Sequence, residues 1–255
     1  MNEHFSIERL WWLLRADLAG GHRTLLTVSG ALAGVILIAA LISFELPGAG
    51  QGFFMSWYGG MLYIWGIIAS SRAFSELHDK NRNQAYLLLP ASAIEKTVAR
   101  LLAVTVGLSV YLLIFTTAVS LVVTGVFGLL PGPGYGLFNP LDPLIWPLIT
   151  GYLFLQSFYF LGAAWFRRRH FIKTTLAITV AGLGLGLFAF LTLRIVFAPE
   201  GIADVGNFVA RALGSYQGLL QMLESIRTVF AIGLPVAFWS IAWLRVRETQ
   251  INDGI

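Results

Sequence analysis

Six stretches of the chain run without a single Asp, Glu, Lys or Arg: Thr24–Phe44, Phe53–Ser71, Leu101–Phe127, Leu144–Phe166, Thr174–Leu193 and Val229–Leu244. A helix needs about 20 apolar residues to cross about 30 Å of hydrocarbon, so each stretch predicts a transmembrane helix. With the residues that complete their last turns, the expected spans are 24–44, 53–73, 101–127, 144–166, 174–195 and 229–246. The last is the shortest and contains Pro235, a residue membrane helices tolerate because neighbouring groups satisfy the backbone it frees. A soluble core built of buried helices is the competing explanation, and so many long uncharged runs argue against it.

Between the runs the pattern changes. Phe5, Ile7, Leu10, Trp11, Leu14 and Leu18 recur at mostly helical spacing, with Glu8, Arg9, Arg15 and Asp17 between them. This predicts an amphipathic helix over 5–22 lying in the membrane interface, Trp11 and Trp12 at headgroup depth, and ended by Gly20 and Gly21. A poorly ordered charged tail is the bland alternative. Residues 74–100, FSELHDKNRNQAYLLLPASAIEKTVAR, are polar first, apolar across Tyr86–Leu89, and broken at Pro90. Ser92 then caps a new helix, with Glu95 three residues on completing a capping box. Such a polar helix-turn-helix with an embedded apolar patch suits docking into a partner's groove better than an ordinary solvated loop does. Gly128–Pro143 is rich in Gly and Pro and reads as a loop without chemistry. Residues 198–228 give helical periodicity through Val205, Phe208, Val209, Leu213, Leu219, Leu220, Leu223 and Ile226, interrupted by Gly214 and Gly218, and predict a short helical hairpin before the last span.

Charge orients these elements. Lys and Arg gather on the cytoplasmic side of membrane proteins. Arg9, Arg15 and Arg23 precede span one; Arg72, Lys80, Arg82, Lys96 and Arg100 follow span two. Arg167, Arg168, Arg169 and Lys173 follow span four, and Arg245 and Arg247 follow span six. The opposite side holds only Arg194, Arg211 and Arg227, and the connections Glu45–Gly52 and Gly128–Pro143 hold no Lys or Arg. The asymmetry alternates through every span and puts both termini in the cytoplasm. Met1–Arg23 carries Glu3, Glu8, Arg9, Arg15 and Asp17 without an apolar core before a cleavage site, so no removable signal peptide is expected.

Composition agrees. The chain has 255 residues, 57% hydrophobic and 12% charged, where a soluble domain carries about 25% charged residues. The net charge of +4 sits at span ends, where it sets topology, so no nucleic-acid partner is implied. Cysteine is absent, which excludes disulfides, thiolate metal sites and thiol catalysis. His4, His22, His78 and His170 are scattered without metal-ligand spacing. Ser70, Ser71, Glu76, Asp142, Glu200 and Asp204 form no convergent catalytic set. The lack of ionisable residues inside the spans weighs against an ion-coupled transporter or a charge-lined channel, leaving lipidic or peptidic cargo open. Gly30 and Gly34, and Gly182 and Gly186, have the GxxxG spacing that permits close helix packing, within one chain or between two. Gly182, Gly184 and Gly186 lie inside an apolar span and follow no strand, so they are no dinucleotide fingerprint. Arg167–Arg169 with Lys173 set topology, with anionic-lipid binding as the alternative.

The interfacial helix, six spans with termini inside, the cytoplasmic segment between spans two and three, the outer hairpin and the wording YLLLPASAIEK over Tyr86–Lys96 together resemble the membrane permeases of ATP-binding-cassette transporters, type-2 export class. The resemblance covers essentially the whole chain. It implies an all-α permease domain over 1–255 that dimerises with an identical or related chain, largely through spans one and five, where Gly30, Gly34, Gly182 and Gly186 lie. It also implies that residues 74–100 carry a coupling helix seated on a separate nucleotide-binding subunit. Carried over, Ser75, Glu76, His78, Asp79, Lys80, Arg82 and Asn83 are the expected contacts, with Arg168 and Arg169 in a second, smaller one. None of Lys80, Lys96 or Lys173 follows a glycine, so the chain lacks the usual phosphate loop. ATP and Mg would then belong to the partner, and this chain would be no enzyme itself. The expected function is ATP-driven export of a lipidic, peptidic or other amphipathic substrate across the plasma membrane. The alternative is a non-transporting scaffold that recruits a cytoplasmic partner through 74–100.

Overall fold

A computed structural model describes residues 6–44, 50, 52–78, 91–132, 134–166, 169–196 and 217–253. The described residues are helical apart from turns and short extended links, with no strand among them. Helix α1 spans Ile7–Ser43, α2 Phe53–Ser71, and α3 is the single turn Ser75–His78. Helix α4, Ala93–Leu102, passes through a π-helical segment, Ala103–Gly107, into α5, Leu108–Phe127. Helix α6 is Ile145–Trp165, α7 His170–Val196 and α8 Gln217–Asp253. Five stretches are long and apolar enough to cross a membrane: Arg23–Ser43, Ala93–Phe127, Ile145–Trp165, His170–Thr192 and Val229–Thr249. The α2 helix, expected as a sixth, is uncharged and 19 residues long, but Trp57, Tyr58, Tyr63, Trp65 and three glycines dilute its apolar character.

Two expected breaks are not found. The amphipathic segment does not end at Gly20 and Gly21; α1 runs through them as one helix of 37 residues. Each glycine costs about 1 kcal/mol in a helix interior, and helical turns on both sides, the first of them docked against α4, outweigh that local preference. Likewise Gly218 does not interrupt a hairpin but lies in the first turn of α8, which carries straight on through Pro235. The remainder of the expected outer hairpin, 198–216, lies outside the described residues.

Helix α6 is the hub, packed against α8, α2 and α7. Apolar side chains lock the bundle at two levels. At one end Phe74 and Phe160 meet edge to face at 4.9 Å, joined by Val104, Ala163, Ala164, Ala242 and Val246. Because these come from the C-terminal ends of α2, α6 and α8 and from the start of the α5 column, consecutive columns run in opposite directions. At the other end Phe44, Phe54, Tyr58, Phe127, Tyr135 and Phe138 form a second core. Several small residues are required by close approach. A Cβ on Gly66 of α2 would sit 2.1 Å from the Tyr152 ring, and one on Gly162 of α6 would sit 1.9 Å from the Thr174 hydroxyl. Helix α7, by contrast, exposes Leu176, Val180, Leu183, Leu187 and Phe188.

Candidate functional site

The end of the bundle holding Phe74 and Phe160 also carries Arg9, Arg72, Lys96, Arg100, Arg169, Lys173, Arg245 and Arg247, while Arg194 lies at the far end of α7. The centre of this basic end is Glu95, whose side chain is completely buried. Ser92 opens α4 with the capping box expected from sequence. Its hydroxyl accepts from the Glu95 N–H at 3.3 Å, and its own N–H donates to Glu95 Oε2 at 2.8 Å. The other carboxylate oxygen reaches across 89 positions of sequence. It accepts from the Ser6 N–H at 2.7 Å and pairs with the Arg9 guanidinium at 3.0 Å. One carboxylate thus caps α4 and holds the first turn of α1 against it. The helix Ala93–Phe127 has 35 residues, about 52 Å at 1.5 Å each, so its first turns project beyond about 30 Å of hydrocarbon. Burial resists ionisation of Glu95. The hydrogen bonds from Ser92 and Ser6 and the Arg9 charge outweigh it and hold the carboxyl below its ordinary range. Burial pulls the neighbouring Lys96 ammonium below its own.

Helix α3 is tied to the same column. Arg100 Nη2 lies 2.6 Å from Glu76 Oε2, both side chains partly exposed. Phe74, the first residue of the expected coupling segment, is fully buried against Phe160. Of the expected coupling contacts, Ser75 is exposed, Glu76 is engaged with Arg100, and His78 closes the α3 turn. Asp79, Lys80, Arg82 and Asn83 lie outside the described residues, as does Arg168. Arg169 is exposed and takes a left-handed backbone conformation, φ 53°, in the tight link between α6 and α7. Beside it Lys173 Nζ stands 5.6 Å from the Phe166 ring centre. Arg245 of α8 stacks over Trp165 at 5.2 Å while pairing with Glu248 at 2.8 Å. On α1, Arg15 lies over Trp12 at 5.7 Å, and Ile7, Trp11 and Trp12 are exposed. Exposed indoles beside cations suit a helix lying at headgroup depth.

The four glycines named from their GxxxG spacing have open space where a Cβ would stand, among the described residues. A Cβ on Gly30, Gly34, Gly182 or Gly186 would meet nothing within 4 Å. Spans one and five therefore present open small-residue surfaces. Elsewhere on α1, Ser29 hydrogen-bonds the Tyr111 hydroxyl of α5.

Sequence reasoning missed two features. Glu95 was legible as a cap but not as the anchor of Ser6 and Arg9, because nothing local announces a partner so far away. The loop 128–144 is not featureless: Tyr135 and Phe138 are buried, and the Tyr135 hydroxyl donates to Ala40 O at 2.6 Å and lies 2.9 Å from Ser43 Oγ. Two aromatic residues in a Gly/Pro-rich stretch were the available signal. Below the loop opens a cavity of about 550 Å³ lined by residues such as Phe53, Phe54, Met55, Phe138, Asn139 and Asp142. Among the described residues no cluster of three His, Asp or Glu side chains could hold a metal. Compared with family models, curated proteins and solved structures, the chain matches none of them.

Proposed function

We propose that this chain is the transmembrane permease subunit of an ATP-binding-cassette transporter of the type-2 export class. It crosses the plasma membrane six times, α2 included, with both termini in the cytoplasm. It pairs with a second identical or related permease chain, and a separate ATPase subunit binds ATP and Mg. Residues 74–100 pass the motion of that subunit to the membrane helices, driving export of a lipidic, peptidic or other amphipathic substrate.

The observation that carries this proposal is the grip of Glu95. A segment that merely connected two spans would need no bond to the N-terminal helix. Here the residues that follow 79–90 in the chain are bonded to α1 through Ser6 and Arg9 and to α3 through Arg100. A push on 79–90 would therefore reach α1 and the α4–α5 column together. The open glycine surfaces on α1 and α7 add support, since two copies can approach closely there.

Purification in mild detergent with candidate ATPase subunits, followed by ATP hydrolysis and vesicle transport assays, tests the proposal. Asp79→Lys with Lys80→Glu should leave the permease folded and abolish transport-stimulated ATP hydrolysis. Failure to recover any ATPase, with no ATP-dependent transport, would sink it. Loss of assembly with an unaffected ATPase would favour the scaffold. Gly34→Leu and Gly182→Leu should lower the dimer fraction in cross-linking while leaving the monomer's melting temperature unchanged, because neither side chain meets an intrachain neighbour.

A further inference from the structure

The helical column from Ala93 to Phe127 is not one rod. Between α4 and α5 its hydrogen-bond register slips into the π-helical segment Ala103–Gly107. Such a segment inserts one residue beyond the α-helical repeat, frees backbone carbonyls of their usual partners, and recurs at functional positions in helices. The sequence AVTVG gives no cause for it: it contains no proline, and its glycine is last. The cause lies across the bundle. Tyr152 of α6 is fully buried, and its hydroxyl donates to Val104 O at 2.5 Å, so a carbonyl inside the slipped turn is satisfied by another helix. Tyr152 can lie there only because Gly66 of α2 has no side chain, since a Cβ at that position would overlap the ring. On the same column Thr105 Oγ1 donates to Leu101 O at 2.6 Å and Ser109 Oγ to Thr105 O at 2.7 Å, two further side-chain bonds to backbone carbonyls around the slip.

The two halves of the column are also anchored differently. Helix α4 is fixed to α1 by Glu95 and to α3 by Arg100. Helix α5 packs on α2 and joins the aromatic core at the far end through Leu112, Val123 and Phe127. Helix α1 touches both halves, but the polar ties of Glu95 and Arg100 hold only α4, and the halves meet at a turn whose Val104 carbonyl accepts from Tyr152.

We infer that Ala103–Gly107 is a joint at which α4, with the first turn of α1, moves relative to α5, and that the Tyr152–Val104 hydrogen bond is its latch. The joint deepens the coupling role proposed for 74–100, but its existence is testable without any ATPase or substrate.

The chain contains no cysteine, so introduced cysteines label uniquely. Spin labels at Ile94→Cys and Ile172→Cys report α4 against α7; labels at Val122→Cys and Leu183→Cys report α5 against α7. All four positions are exposed. In lipid nanodiscs, Tyr152→Phe should shift or broaden the first distance distribution by about 2 Å or more and leave the second unchanged, which also shows that the variant is folded. Both distances fixed, or both moving together, would overturn the joint. Hydrogen exchange on the unaltered chain gives a second reading. Amides around 103–108 should exchange faster than those of 112–120, and Tyr152→Phe should speed them a further fivefold or so. Uniform exchange through 101–120 would overturn it equally.

Discussion

The two ends of the bundle are held by different physics. At the basic end a buried carboxylate, two backbone N–H groups, a hydroxyl and a guanidinium converge on Glu95. At the other end Phe44, Phe53, Phe54, Phe127 and Tyr135 interlock with ring centres 5.0 to 6.3 Å apart. Aromatic packing is broad, short-ranged and indifferent to pH, and it tolerates small losses by repacking. A charged hydrogen-bond network is narrow and fails when one member is removed, because the partners are left unsatisfied. The aromatic end is thus built to stay closed. The Glu95 end is built as a connection that can be released, which suits a segment meant to receive motion.

The sharpest way to break that comparison is at the aromatic end. Tyr135→Ala removes a buried ring, its contacts to Phe44, Phe53, Phe54 and Phe127, and the bond to Ala40 O. A loss of about 3–5 kcal/mol is expected, as for other buried aromatic truncations, read as a lower melting temperature in detergent. Tyr135→Phe, which keeps the ring, should cost about 1 kcal/mol. Equal costs for the two variants would mean that the hydroxyl, not the packing, holds this end.

Next in size is Glu95→Ala. It strands the Ser6 and Ser92 N–H groups, and a loss of about 2–3 kcal/mol is expected. The damage should be local: protease sensitivity rising near Arg9 and Arg15, with the aromatic end unaffected. Arg9→Met should cost less, because Arg9 keeps 39% of its side chain exposed and its attraction is screened by water.

How far the sequence announced these ends follows from the range of each interaction. The uncharged runs and the Ser92–Glu95 box are local patterns, and helices and a cap occur where those patterns put them. The continuation of α1 through Gly20 and Gly21 was hidden, since helix propensity points the other way and the packing of α1 on α4 and α5 on either side of them is long-range. The burial of Tyr135 and Phe138 was hidden because loop composition masks long-range packing. The π-helical turn was invisible, since its residues would serve equally in an α-helix and its cause, Tyr152, lies 48 positions from Val104.

The smallest expected effect sharpens the comparison most, because it separates the ends without a mutation. The Glu95 carboxyl is held below its ordinary value of 4.5 by its hydrogen bonds and Arg9. A group whose folded pKa is depressed contributes stability that is fully present above its unfolded pKa and is lost as pH falls through the folded one. Titration from neutral pH should therefore leave the clamp at full strength down to the ordinary carboxylate value, weaken it progressively below that, and release α1 from α4 only once pH has fallen through the depressed folded pKa. The network around Tyr135, made of Phe44, Phe53, Phe54, Phe127, Ser43 and the Ala40 carbonyl, contains no carboxylate and should not respond. Spin labels at Trp12→Cys and Ile94→Cys would read the first event, and labels at Leu130→Cys and Leu41→Cys the second. A clamp distance that stays fixed after the Glu95 carboxyl has become protonated, followed by its infrared carbonyl band, would mean that packing rather than the carboxylate joins α1 to α4. The proposed path from residues 79–90 into α1 would then lose its physical basis.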